Sequence, residues 1–300
     1  MRYVIVGNSA AAAGCVEGIR SLDQAGEIAI LSSEPYHIYS RPLISYLLLG
    51  KTDEERMRYR PADYYEVNGC RFLPGVTAQA VDPVKKEVAT ADGQRLPYDK
   101  LLLATGSKPF VPPMAGLETA PRRFSFLSLD DAKALRAALT PASRVLILGG
   151  GLIGLKCAEG ISGQVASITV VDLAPQILPS ILDQEAAAIV RAHVEGQGVS
   201  FRLGRSVQSF AGDQALLTDG ESLTFDILVL AVGVRPNTDL AAAAGCQVER
   251  GLLIDGQGRT SVADIYGAGD CCQGWDITTD SSRVLALLPN AYAQGEAAGI

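Results

Sequence analysis

Apolar residues fall in short unbroken runs separated by small and polar residues. Tyr3–Val6 is the first run, and Gly7 follows it directly. The alanine-rich stretch after Gly7 predicts a helix reaching about Arg20, and Ile28–Leu31 forms a second run ending near Glu34. Two such runs joined by a helix predict a β-α-β unit, the start of a parallel sheet. Over residues 71–98 the pattern becomes short alternating segments around Gly75 and Asp92-Gly93, as in a β-meander. Leu101–Ala104 returns to the buried-strand pattern and stops at Thr105-Gly106. Pro109 to Pro113 reads as a linker.

The opening pattern then repeats. Val145–Leu148 is a strand, Gly149–Gly154 a turn, Leu155–Ile161 a helix, and Ile168–Val171 a second strand ending at Asp172. A further strand, Ile227–Ala231, closes this second unit's pattern; Asp264–Asp270 follows another short strand, and Pro289–Ala298 is a closing helix. Two copies of one unit predict two nucleotide domains. The expected division is 1–112 and 237–300 for the first domain, in two parts, and 113–236 for the second. The expected fold class is α/β: two Rossmann-like three-layer domains, each with a β-meander.

The turn in the second copy is an intact Gly-x-Gly-x-x-Gly. Gly149 permits the tight turn, Gly151 lets backbone approach a pyrophosphate, and Gly154 allows close helix–strand packing. The helix start, with Leu152 and Ile153, supplies free N–H groups and a positive dipole end. Strand before, helix after and Asp172 at the end of the next strand make this a strong dinucleotide signal. Asp172 accepts from a ribose 2′-hydroxyl and repels a 2′-phosphate, and Leu173–Gln176 offers no Arg, so NADH is favoured over NADPH.

The first turn carries Gly7, Ser9 and Ala12 at the same three positions. Ser9 is small and its hydroxyl suits a phosphate oxygen, and Ala12 is an accepted replacement. Glu34 stands where a ribose-binding carboxylate belongs. Two such sites in one chain indicate one dinucleotide held permanently and one exchanged, a flavin and a nicotinamide.

Composition narrows the partners. The net charge of −7 comes without a basic stripe, which argues against nucleic acid and an anionic membrane surface. No apolar run reaches the roughly 18 residues of a membrane span. A strand this close to Met1 leaves no room for a signal peptide, and six cysteines without a CxxC do not form a secreted disulfide framework. The expected compartment is the cytoplasm. His37 and His193 are the only histidines, so no metal site is expected. Trp275 and Tyr266 are expected in a core or interface.

The ordered segments Gly7–Ala11, Tyr39–Ser45, Tyr98–Ser107, Gly149–Gly154, Ala231–Asn237 and Tyr266–Asp270 resemble the FAD-dependent pyridine nucleotide–disulfide oxidoreductase superfamily over essentially the whole chain. Leu288–Ala291 with Gln294-Gly295 is similar to the branch of NADH:rubredoxin and ferredoxin reductases and the flavin portion of nitrite reductase large subunits. The resemblance implies that Gly7, Ser9, Ala10, Ala11 and Ala12 line the FAD pyrophosphate and Glu34 binds its ribose. It places Arg41 and Pro42 along the flavin, the Ala78 backbone at the adenine, and Ala104, Thr105 and Gly106 over the cofactor. Gly269 and Asp270 would hold the ribityl chain, Leu287 and the following helix would face the flavin pyrimidine, and Gly233 joins the cofactor-binding set.

The implied activity is hydride transfer from NADH to FAD, with electrons passed to rubredoxin, ferredoxin or a small acceptor. The alternatives are an NADH oxidase or peroxidase-like enzyme, or a non-catalytic FAD- and NADH-binding module of a larger reductase. Three departures from the family stand out. No Cys lies near Arg41, so thiol–disulfide chemistry at the flavin lacks its usual nucleophile. A Lys–Glu pair common in relatives is replaced by Tyr46 and Lys156, and Lys156 is a candidate cation beside the flavin. Relatives usually continue for about a hundred residues into an interface domain, which implies a homodimer in the full-length form. Cys271 and Cys272 follow Asp270 and are expected mainly as packing.

Overall fold

The computed structural model describes all residues from Met1 to Ile300. The chain divides into two compact units, one of 1–40, 58–108 and 235–300, the other of 41–57 and 109–234. No helix is long and apolar enough to cross a membrane.

The first unit is built on five parallel strands. β1 (Arg2–Val6) leads into α1 (Ala10–Leu22) and β2 (Glu27–Ser32). β3 (Cys70–Pro74) lies outside β2, and β7 (Lys100–Leu103) lies on the other side of β1, with Ile265–Gly267 beyond it. The meander is β4 (Ala78–Asp82), β5 (Glu87–Thr90) and β6 (Arg95–Pro97). It starts later than the sequence pattern predicts. The run at 71–74 sends Phe72 to one core and Leu73 to the other, each partly buried, and pairs parallel to β2 from Ile28↔Cys70 to Ser32↔Pro74, so it belongs to the central sheet.

One face of that sheet packs against the meander through Val81, Val88, Leu96 and Tyr98. The other packs against α1 and the closing helix Leu288–Gly299 through Ile5, Ala12, Val16, Ile28 and Leu102. The two helices approach closely: a Cβ on Gly295 would lie 2.0 Å from the Ala11 carbonyl oxygen.

The second unit repeats the plan. Its parallel strands are ordered Val199–Leu203, Ser167–Asp172, Arg144–Leu148, Ile227–Leu230 and Arg123–Ser125. Its meander is Val207–Ala211, Gln214–Leu217 and Ser222–Thr224, packed on the sheet through Phe210, Leu217 and Phe225. The repeat extends to single bonds. Arg2 donates from its backbone and guanidinium to Asp99 at the foot of the first sheet, and Arg144 does the same to Asp226 in the second.

The segment 41–57 packs with the second unit. Its helix α2 (Ile44–Leu48) buries Ile44, Leu47 and Leu48, and Gly160 on helix Leu152–Ile161 lies beside the Ser45 carbonyl and the Leu48 side chain. Trp275 is 63% exposed, on the hairpin Cys272–Asp276/Ser281–Arg283, and so is not a core residue.

Candidate nucleotide-binding turns

Both turns are forced into shape by the sheet beside them. Gly7 has φ +121°, and a Cβ there would lie 2.0 Å from the Ala104 carbonyl oxygen. Gly149 has φ +109°, and its Cβ would lie 2.2 Å from the Ala231 oxygen. The accompanying bonds match as well: Gly7 N–H donates to Leu31 O and Gly149 N–H to Val171 O, each at 2.8 Å. The turn therefore sits at the carboxyl edge of the sheet, between the ends of three strands.

Ser9 is the N-cap of α1, yet its hydroxyl makes no cap bond. Gly151 caps helix Leu152–Ile161 with no side chain to offer. The closing helix starts at Leu287 with no side-chain cap and Pro in its first turn. None of these three helices has an acidic residue in its first turn. Elsewhere the chain caps its long helices itself: Ser128 and Asp131 form a capping box, and Asp183 accepts from Ala186 N–H. Uncapped N–H groups at a helix start favour anions.

The carboxylates stand where the sequence places them, each held differently. Asp172 accepts from Gly150 N–H at 2.5 Å and Ala174 N–H at 2.7 Å, which fixes it against the turn. Glu34 lies just beyond β2 and accepts from the Tyr39 hydroxyl at 2.7 Å. Asn8 connects the first turn to its surroundings: its amide donates to Tyr36 O at 3.2 Å and accepts from the Tyr65 hydroxyl at 2.9 Å.

Ala104–Gly106 is locked by Asn237, which donates from its side chain to Thr105 O and from its backbone to Gly106 O. Thr105 returns a bond to Asn237 O at 2.7 Å. Gly233, at φ +117°, accepts from Phe110 N–H in the second unit. Gly269 N–H donates to Gln294 Oε1, and the Ser107 hydroxyl contacts Asp270 at 3.5 Å. Ala78 opens β4, partly buried beside the first sheet. These gather Gly7, Ser9–Ala12, Glu34, Ala78, Ala104–Gly106, Gly269 and Asp270 in the first unit, and Gly149–Gly154, Asp172 and Gly233 in the second.

Arg41 and Pro42 lie in a single turn that belongs to the second unit, where Arg41 donates to Leu127 O. Lys156 is engaged within that unit: its ammonium stacks 4.4 Å from the Tyr46 ring centroid and pairs with Glu159. Cys271 and Cys272 are buried thiols in the core between sheet and meander, with sulfurs 3.6 Å apart. Hydrogen bonding from Cys272 draws the Cys271 thiol down to about 7, and the same contact with burial pushes Cys272 up. No cluster of three His, Cys, Asp or Glu is placed to hold a metal ion.

Sequence reading gave no role to Asn8, Tyr65, Ser107 or Gln294. Asn8, Ser107 and Gln294 lie within the segments that carry the family resemblance, whereas Tyr65 has no local signal.

The chain is 32% identical over 302 residues to a rubredoxin-NAD(+) reductase of Pseudomonas putida, covering 99% of this chain and 78% of that one. It is 32% identical over 301 residues to an assimilatory nitrate reductase electron transfer subunit of Bacillus subtilis, covering 99% of this chain and only 38% of that longer one. A solved covalent complex of putidaredoxin reductase with putidaredoxin superposes with TM-score 0.91 at 29% identity, covering 99% of this chain and 74% of that one. The family model for pyridine nucleotide–disulphide oxidoreductases matches residues 1–295, and the chain belongs to that family.

Proposed function

We propose that the chain is an NADH-dependent flavoprotein reductase module, with FAD on the first unit and NADH on the second. One observation carries this reading. In each repeat the helix that follows the glycine turn starts with no side-chain cap and no acidic first turn, beside a carboxylate at the end of the next strand. A ribose diphosphate matches that donor and acceptor set.

In the first unit, the Gly7–Ala12 backbone and the Ser9 hydroxyl hold the pyrophosphate, while Glu34, oriented by Tyr39, takes the ribose hydroxyls. Asp270, beside Ser107 and a turn fixed by Gln294, takes the ribityl chain. The free N–H groups after Leu287 face the flavin pyrimidine, where a positive helix end favours negative charge. In the second unit, Gly149–Gly154 holds the pyrophosphate of NADH, and Asp172 the ribose 2′-hydroxyl. FAD would supply hydride acceptance and one-electron delivery. No acid or base is required of the protein for that transfer; its contribution is orientation.

Electrons go on to a small iron protein of the rubredoxin or ferredoxin kind. The likeness to the rubredoxin reductase and to the putidaredoxin reductase complex supports that choice. The absence of thiols near Arg41, and the burial of Cys271 and Cys272, favour this over disulfide reduction. Six free cysteines support a cytoplasmic place.

Anaerobic addition of NADH to the purified yellow protein tests the reading. Rapid bleaching of the flavin, with FAD released on denaturation, is expected. FMN alone, or no flavin after reconstitution, refutes it.

A further inference from the structure

The first turn and the Glu34 loop are separate pieces of chain, and a dinucleotide reads the spacing between them. Tyr65, on α3 (Tyr64–Val67), ties them together. Its hydroxyl accepts from Ile38 N–H at 3.0 Å and donates to Asn8 Oδ1 at 2.9 Å. A phenol has one proton to give, so accepting from Ile38 leaves that proton for Asn8 and fixes which end of the amide faces it. The other end of the same amide donates to Tyr36 O. Turn, loop and helix thus close a ring of three hydrogen bonds between Asn8, inside the first glycine turn, and the segment that carries Glu34.

The ring is held stiffly. Tyr65 stacks on Phe72 at 4.3 Å with planes 7° apart, and its edges meet Tyr64 and His37. Phe at this position keeps every one of those ring contacts and loses only the hydroxyl.

We propose that Tyr65 is a positioning residue for the adenosine-diphosphate half of the bound dinucleotide: its hydroxyl sets the distance between the phosphate-binding turn and the ribose carboxylate. The proposal rests on the assignment of FAD to the first unit. Tyr65 acts through Asn8 and through the Ile38 backbone.

The test uses the full chain stripped of flavin and titrated with FAD and, separately, FMN, which has no adenosine to span the gap. Tyr65→Phe is expected to weaken FAD about tenfold, which is about 1.4 kcal/mol, and FMN less than twofold. The unfolding midpoint of the flavin-free protein should stay within about 2 °C. Asn8→Ala should weaken FAD similarly, and the double variant no further, because both remove one coupled ring. If Tyr65→Phe fails to fold, Asn8→Ala alone carries the same FAD-against-FMN comparison. An unchanged FAD affinity, or parallel loss of FAD and FMN, overturns the proposal. If the unmodified chain takes up no FAD, the flavin assignment falls and this proposal with it.

Discussion

The two glycine turns share a backbone and differ in who fills it. At the first position both need glycine, and the reason lies in the protein: the neighbouring strand's carbonyl, Ala104 or Ala231, occupies the space of a side chain. At the middle position nothing stands within 4 Å of a Cβ on Gly151, and the first turn places Ser9 there. That position is free of any demand from the fold, so its residue is set by what binds. At the third, a Cβ on Gly154 would lie 1.9 Å from Gly149 O, while the first turn accommodates Ala12 fully buried. A damaged-looking fingerprint is therefore intact where the backbone decides and altered only where a ligand or a helix can adapt.

The largest effect should come from the shared position. Gly7→Ala and Gly149→Ala each force a backbone shift and a strained φ, and about 4 kcal/mol of lost stability is expected, or about 10 °C in thermal unfolding. A wild-type midpoint in either variant would break the equivalence of the turns. Gly154→Ala should cost about 2 to 3 kcal/mol by its clash, whereas Ala12→Gly should cost only about 1 kcal/mol, mostly in helix propensity. Similar losses in both would erase the contrast at the third position.

Asp172→Ala removes the acceptor for Gly150 and Ala174 N–H and for the ribose, so kcat/KM with NADH should fall about tenfold and the gap to NADPH should narrow. Equal kcat/KM for both coenzymes in the unmodified protein would refute the role given to Asp172. Gly151→Ser, which imports the first turn's residue into the second, should leave stability within about 0.5 kcal/mol and raise the NADH Kd a fewfold.

The smallest effect concerns the paired clamps at the feet of the sheets. Arg144 holds Asp226 down at about 2, against an ordinary 3.8, chiefly by side-chain hydrogen bonding, and Arg2 lowers Asp99 in the same way. A carboxylate depressed in the folded state stabilises above its unfolded value and loses that contribution as pH falls from 3.8 toward 2. Asp226→Asn should flatten acid unfolding over that window only slightly, since the pair is solvent-screened. An unchanged slope would remove the clamp from the comparison.

The turns were legible because their constraints are local: a strand end, a glycine and a helix start fit within a dozen residues. Asp172 and Glu34 follow from the same spacing. What was not legible depends on distant partners. The run at 71–74 looks like a meander strand until β2 is laid beside it. The Arg41–Met57 segment offers no sign that Leu47 and Leu48 will be buried against a helix over a hundred residues on. Tyr65 reaches Asn8 across 57 positions, and no pattern in either neighbourhood announces the bond. Trp275 shows the converse, a large apolar residue that the hairpin leaves in solvent.

The first sheet takes its last strand, Ile265–Gly267, and the partner of α1, Leu288–Gly299, from the end of the chain. The second sheet takes its corresponding edge strand, Arg123–Ser125, from the residues just before it. On the ribosome the second unit therefore has every one of its segments once residue 234 has emerged, while the first still exposes one edge of its sheet and the alanine face of α1. The unit that begins first is finished last, and during that interval its open strand edge and bare helix face are the surfaces on which nascent chains aggregate or recruit chaperones.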